Sequence, residues 1–143
     1  MRTKILTLGL ICLSLNFLLF SQDWNKLTLS QIETTMENTL KIQGYGNLDV
    51  IVEKDVIDGF IDFYIWFDYV KRDKVFATQK SCIRLVAHLT SKTSWKSRDL
   101  WFVKRGKPGT SISTKNCRIA VKIKNKKQQD DFILSKLHTI EKR

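Results

Sequence analysis

Apolar positions fall into three patterns along this chain. The first is a run from Ile5 to Phe20, broken only by Thr7, Gly9, Ser14 and Asn16. The second is the helical stripe. Leu29, Ile32, Met36 and Leu40 recur at spacings of three and four, which predicts a helix over 28–43. Thr28 with Gln31, or Ser30 with Glu33, can form its capping box, with Leu27 and Ile32 as the accompanying staple, and Gly44 and Gly46 end it. Val75, Phe76, Gln79, Cys82, Ile83, Val86 and Leu89 predict a second helix over 74–91, started by Asp73. Its opposite ridge carries Lys80, Arg84 and His88 at successive spacings of four. The third is strict alternation. Ile61, Phe63, Ile65, Phe67 and Tyr69 predict a strand over 60–70, paired through a turn near 55–59 with a strand over 48–54.

The remaining elements follow the same logic. A strand is expected over 99–105, then turn chemistry in Gly106-Lys107-Pro108-Gly109. Cys117, Ile119, Val121 and Ile123 alternate with Arg118, Ala120, Lys122 and Lys124, which predicts a strand over 116–125. A closing helix over 128–141 would bury Phe132, Ile133, Leu137 and Ile140. The order α-β-β-α-β-β-α predicts an α+β two-layer sandwich: a mostly antiparallel four-stranded sheet with helices on one face.

The leading run changes the meaning of the rest. Arg2 and Lys4 precede it, and Phe20-Ser21-Gln22 closes it before charged sequence begins at Asp23. A basic start, a short apolar middle and a small exit residue predict a removable export signal over 1–21. A retained membrane anchor is the alternative, although about 20 apolar residues are needed to span a bilayer. Ile11 before Cys12 does not fit a lipid-attachment site. The expected product is one globular domain over 22–143, periplasmic or secreted, with no membrane span of its own.

An oxidising compartment bears on the sulfurs. Cys82 lies on the apolar stripe of its helix and Cys117 on the apolar side of the expected last strand, so a Cys82–Cys117 disulfide is expected, with two buried free thiols as the alternative. In the chain-entropy picture, a loop of about 35 residues closed in this way adds roughly 3–4 kcal/mol.

Charge is segregated along the sequence. Residues 22–72 hold 5 basic and 9 acidic side chains; residues 73–143 hold 18 and 5. A basic surface for an anionic polymer or an envelope protein is the corresponding expectation. Export disfavours nucleic acid as the partner. The expected surface is the open sheet face, carrying Asp62, Tyr64, Trp66 and Asp68 with Trp101, Arg118, Lys122 and Lys124.

Catalytic signals are sparse. Asp62 and Asp68 sit about 20 Å apart on an extended strand, too far for a shared acid–base pair. A small hydrolase, nuclease-like or polysaccharide-directed, would have to use one of them with a nearby lysine. His88 and His138 are expected on solvated helix faces. No phosphate loop, nucleophile elbow or metal-ligand spacing occurs, so no metal or cofactor is expected. The reading that results is an exported, non-catalytic binding or accessory domain, with the hydrolase as its alternative.

Overall fold

A computed structural model describes residues 23–46 and 48–139. The expected export signal and Ile140 lie outside the described residues. The chain is α+β, with a five-stranded mixed sheet and, among the described residues, four α-helices.

Helix α1 spans Leu29–Ile42. Its start is the expected capping box: Gln31 N donates to Thr28 Oγ1 at 3.2 Å, and Thr28 N donates to Gln31 Oε1 at 2.9 Å. At its end Gly44 adopts φ 89°. Tyr45 N then reaches Leu40 O and Gly44 N reaches Lys41 O, so two otherwise orphaned carbonyls are satisfied. Ile32, Met36 and Leu40 are completely buried.

Strands β1 (Val50–Lys54) and β2 (Ile61–Trp66) form an antiparallel pair. A short 3₁₀ turn, Arg72–Lys74, leads into α2 (Val75–Ser91), and the expected cap at Asp73 is not made: Lys74 precedes the helix without a side-chain bond. The α2 crossover returns the chain as β3 (Ser97–Lys104), parallel to β2. Arg105 and Gly106, with φ 53° and 71°, make the tight turn into β4 (Lys107–Ser113). Two helices follow, α3 (Thr114–Val121) and α4 (Lys126–Lys136), and then β5 (His138–Thr139), which pairs with β4. The strand order is β1-β2-β3-β4-β5.

Three expectations are corrected here. The sheet has five strands, not four, and its centre is a parallel pair. The expected strand over 116–125 is helix α3. Ser113 caps it by accepting from Asn116 N at 3.1 Å, and its buried residues are Thr114, Cys117 and Ala120, spaced by three. Ile119 and Val121, the heart of the apparent alternation, are 39% and 41% exposed. The strand position is filled instead by Lys-Pro-Gly-Thr-Ser-Ile-Ser, a segment with only Ile112 buried, held by hairpin geometry more than by its own hydrophobicity. Tyr69, expected on the covered face, is exposed because β2 has already ended.

The core follows from register. Val50↔Ile65, Val52↔Phe63, Phe63↔Leu100, Ile65↔Phe102 and Leu100↔Ile112 are cross-strand partners, so these side chains share one sheet face. They form a single buried cluster with Ile32, Met36 and Leu40 of α1, Ile83, Val86 and Leu89 of α2, and Cys117 of α3.

Candidate functional site

The opposite sheet face carries a row of partners across all five strands: Ile51, Tyr64, Trp101, Ser111 and His138. Tyr64 and Trp101 stack with ring centroids 6.4 Å apart and planes within 10°. Trp66 is half-buried two residues along β2. So Tyr64, Trp66 and Trp101 are together, as expected, but their surroundings are acidic. Burial raises the Tyr64 phenol first, and the nearby charges of Asp62 and Glu53 raise it further. Burial also raises the Asp99 carboxyl, with Asp62 adding to the effect.

Asp62 explains much of this face. A bulge in β3 places Arg98 and Asp99 opposite it. Arg98 Nε donates to both Asp62 oxygens at 3.2 Å, Arg98 Nη2 donates to Oδ2, and Asp99 N donates to Oδ1 at 3.1 Å. Asp62 is therefore 5% exposed, although it lies on the open face. Arg98 also reaches Asp58 Oδ2 at 3.2 Å. Asp68 plays a different part. Its Oδ1 accepts from Arg105 N at 2.6 Å and so ties the end of β2 to the β3–β4 turn. Neither aspartate forms an ion pair with a lysine among the described residues.

The expected basic half of this face is elsewhere. Arg118 lies on α3, Lys122 caps its end and Lys124 follows in the connection to α4. The reason is the misread element: on a helix these residues leave the sheet. Arg118 and Lys122 instead join Arg84 and His88 of α2 around a groove of about 380 Å³, with Ala87 and Val121 among its lining residues. Spacings of four put Arg84 and His88 on one side of α2, and Arg118 and the cap residue Lys122 on one side of α3. His88, expected to be fully solvated, is half-buried in this wall. His138 is exposed, but on β5 instead of a helix. Arg84 and Lys122 have no carboxylate partner among the described residues, and Arg118 Nη1 donates to Ser97 Oγ at 3.3 Å.

The sulfurs settle one of the open expectations as well. Cys82 and Cys117 are buried free thiols and not a disulfide. The expected bridge placed Cys117 on a strand; it lies on α3, which packs against α2. Burial pushes the Cys117 thiol up to about 12, and burial together with the neighbouring Cys117 raises the Cys82 thiol. Both are protonated, unreactive core groups.

Among the described residues, no group of three or more His, Cys, Asp or Glu side chains is placed to hold a metal ion, and no helix is long and apolar enough to cross a membrane. The ridge of Lys80, Arg84 and His88 is the one sequence pattern that points to the groove. Arg98 carries no such signal, since its partner lies 36 residues away. The chain matches no protein-family model, no curated protein and no solved structure.

Proposed function

We propose that this chain is an exported, non-catalytic binding domain that holds an anionic partner in the groove between α2 and α3. In this reading the helices form one layer over the covered sheet face, and the groove opens on the outer side of that layer. The observation that carries it is the convergence of Arg84, Arg118 and Lys122 on one 380 Å³ groove. Like charges gathered at one place without carboxylates to neutralise them raise the local positive potential, which draws in an anion and weakens as salt rises. Export rests on the basic and apolar pattern of residues 2–20.

The hydrolase reading has less support. Both Asp62 oxygens are engaged by Arg98 and the Asp99 amide, and Asp68 anchors a turn. A carboxylate committed in this way is not poised to move a proton.

Retention on immobilised heparin, a sulfated polysaccharide, tests the proposal. The protein is expected to bind at low salt and elute along a salt gradient. The double substitution Arg84→Glu and Lys122→Glu is expected to elute much earlier, and Trp101→Ala to elute with the parent. Co-elution of the groove variant with the parent would refute the groove as the anion site.

A further inference from the structure

The β1–β2 turn is an apolar tip with an acidic base. Val56 and Ile57 are 100% and 97% exposed. Such positions usually hold Gly, Asn, Asp or Ser, whose conformational freedom or short side-chain hydrogen bonds suit a turn. Two adjacent β-branched side chains in full contact with water add nothing to the fold. The turn that carries them is nonetheless tightly built. Asp55 Oδ1 accepts from Ile57 N at 2.8 Å and Asp58 N at 3.2 Å, while Asp58 Oδ1 accepts from Phe60 N at 2.9 Å. Gly59 N donates to Asp55 O, Asp55 N donates to Phe60 O, and Arg98 holds Asp58. A tip fixed in this way loses little conformational entropy on docking.

We infer that this tip docks into the α2–α3 groove of a second copy of the chain, so that the protein self-associates by a knob-in-groove contact. The inference rests on the groove reading above and names its occupant. Chemistry matches on both sides: an apolar pair flanked by Asp55 and Asp58 meets Ala87 and Val121 flanked by Arg84, Arg118 and Lys122. Size matches as well. The seven side-chain carbons of Val56 and Ile57 need roughly 200 Å³ at about 30 Å³ per water-sized group, and the groove offers about 380 Å³. Placement matches too. Ile61, just beyond the turn, pairs with Ser97, and Ser97 Oγ accepts from Arg118 at 3.3 Å. Knob and groove therefore lie toward the same end of the sheet. Two copies related by a two-fold axis can make the contact twice, each knob entering the other's groove.

Sedimentation velocity on the mature protein, from about 1 to about 500 µM at low salt, tests this. The parent is expected to shift from monomer to dimer with concentration, and to stay monomeric near 1 M salt, where charge attraction is screened. Ile57→Asp alone, and Arg84→Glu with Lys122→Glu alone, should each weaken association on the order of 100-fold or more. An equimolar mixture of the groove variant with Ile57→Ser, which adds no charge at the second contact, should associate more tightly than either variant alone, because one intact knob then meets one intact groove. All three positions are exposed, so native melting behaviour checks that the variants fold; Ile57→Ser replaces Ile57→Asp if that variant does not. A parent monomeric throughout, an association that both variants retain, or a mixture that associates no more tightly than either variant alone would each overturn the inference. Heparin retention lost only in the groove variant, alongside a monomeric parent, would leave the anion site standing and remove the second copy as its occupant.

Discussion

Replacing Asp62 separates an architectural carboxylate from a chemical one. In Asp62→Ala the Asp99 amide loses its acceptor inside the β3 bulge, where Asp62 is 5% exposed. A fully buried amide left without a partner costs about 1–3 kcal/mol, and this one is part-buried. Arg98 is solvent-accessible and keeps Asp58, so its share is screened and nothing is added for it. The expected loss is about 2 kcal/mol, which lowers the melting temperature on the order of 8 °C for a domain of this size. Asp62→Asn supplies the control, because its side-chain oxygen can still accept from the Asp99 amide; at least half of the loss should be recovered. Urea titration followed by tryptophan fluorescence measures both variants. A loss below about 0.5 kcal/mol for Asp62→Ala, within the range of an ordinary surface substitution, would refute the bulge-anchor role. An increase in stability would point the other way, since removal of a strained functional group commonly stabilises a protein.

Four further outcomes are expected. Thiol titration of the folded chain begun at Gln22 should find neither Cys82 nor Cys117, and titration after denaturation without reductant should find both; no thiol in the denatured protein would restore the disulfide. Arg105→Asn should raise stability by about 0.5 kcal/mol, because asparagine tolerates a positive φ better than arginine does, and Gly106→Ala should lower it by about 1 kcal/mol; both are read by urea titration. Asp99 binds its proton more tightly in the folded chain than its ordinary value of 3.8 implies, so the stability it contributes is lost as pH rises through its raised value; Asp99→Asn should melt higher than the parent near neutral pH, with the gap closing toward about pH 3. Asp55 runs the other way. Hydrogen bonds from the Ile57 and Asp58 amides lower its carboxyl, so its contribution is present above 3.8 and lost as pH falls through the lowered value, and Asp55→Asn should flatten the acid limb of the melting profile.

The first half of the chain was legible because its patterns are long and internally consistent. Thr28, Gln31, Ile32, Met36 and Leu40 agree on one helix, with its cap and its buried side specified together. Ile61, Phe63 and Ile65 agree on one buried strand face. The second half was ambiguous where segments are short. Over eight residues, Cys117, Ile119 and Val121 fit period two, while Thr114, Cys117 and Ala120 fit period three, and two of the helical set are small side chains that add little to a hydrophobic pattern. Tertiary context decided between them: the β3–β4 hairpin had already supplied the neighbouring strand. The same error moved three cations. With Arg118, Lys122 and Lys124 assigned to a strand, a basic aromatic face followed; on α3 and its exit they belong to the helical side, and the aromatic face is left with Asp62, Asp99 and Glu53.

That relocation gives the charge segregation of the sequence a spatial meaning. The acidic half contributes β1, β2 and their turn, so Glu53, Asp55, Asp58 and Asp62 lie together along one hairpin. The basic half contributes α3, α4 and the exposed side of α2, so Arg84, Arg118 and Lys122 gather across two packed helices. Ionic contact between the two sets passes through Arg98 alone among the described residues, and Arg98 sits on β3 and not in the groove. Opposite charges held on separate elements of one surface, a hairpin turn and a helix pair, favour ordered contact with a complementary surface over random association. Arg98→Glu would reverse the cation that pairs with Asp58 beside the turn. It should strengthen the negative potential at the Val56–Ile57 tip while disturbing the Asp62 bulge. Measured with Asp62→Asn as the background to limit that disturbance, tighter self-association at low salt supports a charge-guided knob; unchanged association in a folded variant would mean that apolar contact alone directs it.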